Sequence, residues 1–178
     1  MRALWIVSWL VSFAYAVPLS KAYYAGGCFW GVEYHLEKLG GVKEVRSGYM
    51  GGNIKSPTYH QVSRGDTGHL ESVEVTYDPS LINYETLTKA FFEIHNPTQH
   101  DGQGPDSGEQ YLSAIFVRDE TQRRIALSLI KQLRSYGYDV ATKVLPAATF
   151  YPAETYHQDY YVKNKKAPYC HGYVKRFK

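Results

Sequence analysis

The chain has 178 residues, a formal net charge of +3 and two cysteines. That length suffices for one domain whose apolar core needs no metal or disulfide to hold it. The charge is too small and too dispersed to argue for nucleic-acid or membrane binding, and the basic residues that crowd positions 163–178 read by default as a solvated terminus.

The chain opens with Arg2, an apolar run from Leu4 to Phe13, and the small-x-small pattern Ala14-Tyr15-Ala16. This is the layout of a secretory signal peptide over residues 1–16, with the mature domain at 17–178 and a periplasmic or secreted destination. The run is shorter than the roughly 20 apolar residues of a bilayer span. An uncleaved anchor and an N-terminal core strand are the alternatives. Export would put Cys28 and Cys170 in an oxidising compartment.

Lys21 to Ala25 reads as a strand leading into Gly26-Gly27-Cys28-Phe29-Trp30-Gly31-Val32-Glu33. Here a cysteine opens a helix that carries Phe29, Val32, Leu36 and Leu39 at helical spacing and ends at Gly40-Gly41. A thiol at a helix start faces unpaired N–H groups and the positive end of the macrodipole, both of which favour the nucleophilic thiolate. The glycines permit close backbone approach, and Phe29 and Trp30 offer an apolar surface beside the sulfur. The competing reading is a buried cysteine packed with two core aromatics.

Val42 to Tyr49 reads as a strand, followed by a long polar loop from Met50 to Gly68. Glu71 to Tyr77 alternates, and parity sets Glu71 on the apolar face with Val73, Val75 and Tyr77. A carboxyl there has a raised pKa and stays a proton donor at neutral pH, unless it lies past the strand end in water. Asn83 caps a helix with Tyr84, Leu87, Phe91 and Ile94 on one face. A second long loop spans His95 to Gln110, and Tyr111 to Val117 reads as a strand. Asp119 to Tyr136 is a helix with Ile125, Ala126, Leu129, Ile130 and Leu133 as its stripe, stopped by Gly137. Val140 to Leu145 reads as a strand, a short tyrosine-rich helix follows Pro152, and an irregular tail holds Cys170. The order β-α-β-β-α-β with additions predicts an α/β (α+β) fold: a ferredoxin-like split βαβ two-layer sandwich with an added C-terminal helix and tail.

The seven histidines show no metal-ligand spacing, and the glycines from Gly102 to Gly108 neither follow a strand nor open a helix as a dinucleotide loop would. His157 or His171 could serve as base to Cys28 in a cysteine-protease arrangement, but that scheme has no use for a second cysteine in a tail. Cys170 fits either of two roles. It resolves a sulfenic acid on Cys28, or it forms a static disulfide worth about 4–5 kcal/mol by loop-closure entropy.

Gly27-Cys28-Phe29-Trp30-Gly31-Val32-Glu33 resembles the active-site signature of the A-type peptide methionine sulfoxide reductases. Similar blocks follow in order: Ser56-Pro57-Thr58-Tyr59, Gly65 to Glu71, Val75 to Pro79, Pro97-Thr98-Gln99, Gln103 to Gly108, Gln110 to Ile115, Phe150 to Glu154 and Tyr156 to Tyr161. The resemblance covers roughly Tyr23 to Cys170. It implies reduction of the S epimer of methionine sulfoxide, free or in oxidised proteins, as a protein-repair activity. Cys28 would be the nucleophile, Glu71 the acid, and Tyr59 and Tyr111 the hydrogen-bond donors to the sulfoxide oxygen. Asp106 would hold the polar side of the site through water, while Phe29 and Trp30 receive the substrate's methyl group. Cys170 would resolve the Cys28 sulfenic acid, and a thioredoxin or thioredoxin-like partner would reduce the disulfide. No flavin, nicotinamide or metal is implied, and a monomer is the default. A secreted binding module with both cysteines locked is the alternative.

Overall fold

The computed structural model describes residues 17–178, so the expected leader at 1–16 lies outside the described residues. Strand β1 (Ser20–Gly26) leads into helix α1 (Phe29–Leu36), and β2 (Val42–Met50) returns. A one-turn helix α2 (Tyr59–Val62) precedes β3 (Leu70–Tyr77) and α3 (Tyr84–Ile94). A small hairpin, β4 (Gly102–Gln103) and β5 (Asp106–Ser107), and a 3-10 turn at Glu109–Tyr111 come before β6 (Ser113–Val117). Helix α4 (Glu120–Ser135), β7 (Lys143–Pro146), β8 (Tyr151–Pro152) and α5 (Tyr160–Lys163) complete the order.

The main sheet runs β7-β6-β1-β3-β2-β8. Its four central strands, β6-β1-β3-β2, pair antiparallel in the order that defines a split βαβ sandwich. Strand β7 adds in parallel at one edge and β8 antiparallel at the other. Sequence period explains the layering. Ala22 and Tyr24 of β1 and Val73 and Val75 of β3 point to the face covered by α1, α3 and α4, where they meet Phe29, Leu36, Phe91 and Leu133. Asn83 and Asp119 start α3 and α4 by accepting from Thr86 N and Gln122 N, each at 2.8 Å.

The far face of the sheet is also covered. Ala25, Met50, Leu70, Ala114 and Phe116 form a second apolar cluster under Tyr23, Leu145 and Phe150. Glu74 is buried there and accepts hydrogen bonds from Lys21 at 2.9 Å, from Tyr23 at 2.8 Å and from Arg46. Burial works against its charge, but these donors prevail and leave its pKa below the usual carboxylate value. A carboxylate with a depressed folded pKa contributes stability that is present above the unfolded pKa and is lost as pH falls through the folded one. Because Lys21 and Arg46 are about two-fifths exposed, water takes over much of their solvation once the partner is gone. Glu74→Gln is therefore expected to cost about 2 kcal/mol at pH 7, and the cost to shrink in acid; urea melts at pH 7 and pH 3 measure both.

Several boundaries differ from those read in the sequence. Helix α1 stops at Leu36, and Leu39 packs on the core from the following turn. Tyr111 belongs to the 3-10 turn, and the strand starts at Ser113. Val140 is buried but outside the strand, because Ala141 N donates to Pro97 O at 2.8 Å and ties this segment to a loop. The helix after Pro152 is two separate turns, divided by Asp159 in the left-handed region with φ 53°. The lysines of the tail are exposed as expected, but the chain end is anchored: Phe177 is buried, and Arg176 donates to Phe92 O at 2.9 Å and His95 O at 3.1 Å. Those carbonyls lie at the C-terminal end of α3, where a cation complements the helix dipole. No helix among the described residues is long and apolar enough to cross a membrane.

Candidate active site

Cys28 is the N-cap of α1, with φ −52° and ψ 115°. The residue before it has to be glycine: Gly27 has φ +88°, and a Cβ there would sit 2.3 Å from Cβ of Gln103. This contact presses the loop from His95 to Gln110 against the start of the helix. The long loop thus becomes one wall of the site.

Glu71 lies on β3 opposite Tyr49 of β2 and is 2% exposed. It accepts a hydrogen bond from Phe29 N at 3.1 Å, one of the first-turn N–H groups of α1. Burial, and then the neighbouring Cys28 sulfur, push its pKa well above the ordinary carboxylate value, against the pull of that N–H. Strand parity anticipated this placement. The shift favours the protonated form, a carboxylic acid with a proton to give.

Tyr59 and Tyr111 are half-buried and come from different loops. Tyr59 opens α2, whose capping box pairs the Thr58 hydroxyl with Gln61 N at 3.3 Å and Gln61 Oε1 with Thr58 N at 2.9 Å. Glu154 fixes it from the other side, accepting from Tyr59 N at 2.9 Å and from the Tyr49 hydroxyl at 2.9 Å. Burial, and then the proximity of Glu71, raise both the Tyr59 and the Tyr111 phenol, so each stays a neutral donor.

The apolar wall is built by Phe29 and Trp30. Trp30 stacks on Tyr160 with centroids 3.6 Å apart and planes at 5°, and its Nε1 donates to His157 Nδ1 at 3.0 Å. His157 is buried and packs in turn on Phe29 and Tyr59 at centroid distances of 5.0 and 4.5 Å. It is held neutral by burial. With Nδ1 taken by Trp30, the ring serves as a spacer between Phe29 and Tyr59.

Cys28 and Cys170 are free thiols, and both sulfurs and an Asp106 carboxylate oxygen lie within 4.8 Å of one another. Asp106 also accepts from the Tyr169 hydroxyl at 3.1 Å, which tethers the residue next to Cys170. The thiolate expected from the helix start is not the resting state. A hydrogen bond with Cys170, then burial, hold the Cys28 thiol above its usual range, outweighing the N–H of Trp30. Helix α1 has only eight residues, and its first N–H, that of Phe29, is turned to Glu71. A second group, Glu33, Glu37 and Asp159, also brings carboxylate oxygens within 4.8 Å. Burial raises Glu33 to about 8 and Glu37 to about 7, so protonation relieves their mutual repulsion.

All eight residues singled out in the sequence fall in one region: Cys28, Phe29, Trp30, Tyr59, Glu71, Asp106, Tyr111 and Cys170. Glu154, His157, Tyr160 and Tyr169 support them; the sequence offered His157 only as a base and gave the other three no role. The blocks Phe150 to Glu154 and Tyr156 to Tyr161 carried the signal for three of these, with no local pattern to assign their roles.

The family model described as peptide methionine sulfoxide reductase matches residues 20–178. Peptide methionine sulfoxide reductase MsrA of Thermus thermophilus is 48% identical over 155 residues, 86% of this chain and 88% of that protein. The reduced form of Mxr1 from Saccharomyces cerevisiae superposes with a TM-score of 0.81 at 33% identity, covering 87% of this chain and 92% of that one. The same yeast protein in complex with Trx2 has a TM-score of 0.57 at 23% identity, covering 90% and 95%. With a buried carboxylic acid, two phenols, an aromatic wall and a paired thiol around one point, the chain belongs to the peptide methionine sulfoxide reductase family, thiol-dependent oxidoreductases that reduce methionine sulfoxide.

Proposed function

We propose that the chain reduces the S epimer of methionine sulfoxide, free and within oxidised proteins, by a cycle on Cys28 and Cys170. The observation that carries this reading is the place of Glu71, buried and anchored to Phe29 N beside the Cys28 sulfur, where burial favours its protonated form. A sulfoxide sulfur is a poor electrophile until its oxygen is protonated. Glu71 supplies that proton, and Tyr59 and Tyr111 hydrogen-bond the same oxygen. The Cys28 sulfur attacks the sulfoxide sulfur as its own proton is lost, which returns Glu71 to the acid form. The oxygen ends on Cys28 as sulfenic acid, methionine leaves, and the substrate has gained two electrons.

Cys170 then condenses with the sulfenic acid, forming the Cys28–Cys170 disulfide and water. The disulfide is reduced by a dithiol of the thioredoxin class; the assembly of the yeast neighbour with Trx2 supports this donor. Against Phe29 and Trp30 the substrate's methyl group gains about 1 kcal/mol, enough to orient it but not to bind it tightly. All reacting groups belong to one chain, so a monomer suffices. Residues 1–16 act as a secretory leader that takes the domain to the periplasm or outside the cell, supported by their charge and apolar pattern.

The test is turnover of the two epimers of a blocked methionine sulfoxide, with dithiothreitol, by the mature protein and by Cys28→Ser. Consumption of the S epimer alone, abolished by the substitution, is the expected result. Consumption of the R epimer, or activity surviving in Cys28→Ser, would overturn it.

A further inference from the structure

The residue after Cys170 has no part in the cycle above, yet it is among the most constrained in the tail. His171 is 7% exposed and wedged against α1: a Cβ on Gly31 would fall 2.2 Å from His171 Nδ1. Its Nε2 lies 2.7 Å from Gly26 O, and its Nδ1 lies 3.0 Å from Cys170 Sγ. A carbonyl oxygen only accepts, so Nε2 carries the hydrogen. In the neutral ring Nδ1 is then an acceptor, aimed at the thiol of Cys170. The orientation is set by tertiary packing across nearly the whole chain, between a tail residue and the end of β1.

We propose that His171 is the general base for the resolving step, taking the proton of Cys170 as its sulfur attacks Cys28. The thiol pair and the ring form a directed chain, from Cys28 through Cys170 and His171 to the backbone of Gly26. The proposal rests on the reading that Cys170 resolves Cys28. The step balances within the site. Cys170–SH and Cys28–S–OH give the Cys28–Cys170 bond and water; the proton held by His171 joins the departing hydroxide, and no further oxidant is needed. Burial lowers the pKa of His171, which keeps the ring free to accept a proton at neutral pH. Its titratable neighbours are Cys170 beside it in the tail, Asp106 on the loop side, His35 on α1 and His95 at the end of α3.

The test is a single turnover. Pre-reduced protein is mixed with one equivalent of blocked methionine S-sulfoxide, and methionine release, which consumes the Cys28 thiol, is followed separately from loss of the second thiol, that of Cys170, from pH 6 to pH 9; thiol loss below means this second one. In the wild type, thiol loss is expected to be nearly independent of pH. In His171→Ala, methionine release keeps its wild-type rate while loss of the second thiol slows about 10²-fold or more at pH 7. It then climbs as pH rises, because only thiolate attacks. Added imidazole should restore the lost rate by entering the vacated space. His171→Gln keeps an N–H for Gly26 O but cannot carry the proton; it is expected to show the same pH slope, and it serves if the alanine variant fails to fold. Thiol loss at the wild-type rate and pH profile in a folded variant would overturn the proposal, as would a slow rate with no pH slope and no imidazole rescue. Failure of the underlying reading is distinguishable: the wild type itself would release methionine without losing two thiols.

Discussion

Replacing Glu71 by glutamine is expected to lower kcat for methionine sulfoxide reduction by about 10²–10⁴-fold while KM moves only a few-fold. The substitution isolates the proton. Glutamine keeps an oxygen to accept from Phe29 N, 3.1 Å away in the wild type, and a terminal N–H to donate into the site, so the local hydrogen bonds survive. What it cannot do is transfer a proton to the sulfoxide oxygen and recover one from Cys28. The pH dependence gives a second check. Burial and the Cys28 sulfur raise the Glu71 pKa, so the acid form persists through neutral pH and wild-type activity falls as pH rises through that value. The residual activity of Glu71→Gln should lack this alkaline limb. Steady-state kinetics of both proteins from pH 6 to pH 10 measure both effects. A variant with near wild-type kcat, or one retaining the alkaline limb, would show that the proton comes from elsewhere.

Cys170→Ser is expected to release one equivalent of methionine at the wild-type rate and then stall when a protein dithiol is the reductant. Its turnover should fall about 10²-fold or more, since the intramolecular attack is lost. In the wild type the two sulfurs and Asp106 lie within 4.8 Å, so the second thiol is in place before the oxygen arrives. Three contacts hold it there. Tyr169 donates to Asp106 at 3.1 Å, His171 pairs with Gly26 O at 2.7 Å, and Val174 N donates to Glu93 O at 2.7 Å. The stalled variant should carry one extra oxygen by intact mass and react with a sulfenic-acid trap. Dithiothreitol, small enough to reach Cys28 directly, should restore part of the turnover. Full turnover of Cys170→Ser with a thioredoxin-like donor would remove Cys170 from the cycle.

The features legible in the sequence are those whose information is local. Alternation in Glu71 to Tyr77 identifies a strand and sets Glu71 on its buried side, because side chains in a strand point to opposite faces with a period of two. The stripe from Ile125 to Leu133 identifies α4 for the corresponding helical reason, and Asn83 marks the start of α3 by its capping chemistry. Gly26-Gly27-Cys28 announces a thiol with backbone room around it. Where local and distant forces compete, the distant ones win. Val140 leaves the strand pattern to join a loop held by Pro97 O, and the basic chain end docks on α3 through Arg176 and Phe177.

What only the tertiary structure decided is proximity and the solvent exclusion that follows from it. Sheet order β6-β1-β3-β2 sets Glu71 of β3 beside the residues that follow β1, and two loops deliver Tyr59 and Tyr111 to the same point. Glu154 and His157 acquire roles only through partners about a hundred residues away, Tyr59 and Trp30. The protonation state of Cys28 is the sharpest case. Its helix-start position alone favours thiolate, but the thiol is kept by Cys170, a residue far along the chain, and by burial that the whole fold supplies. Periodicity records which face a side chain takes; it holds no record of what packs against that face, and the charge of a buried group depends on that second fact.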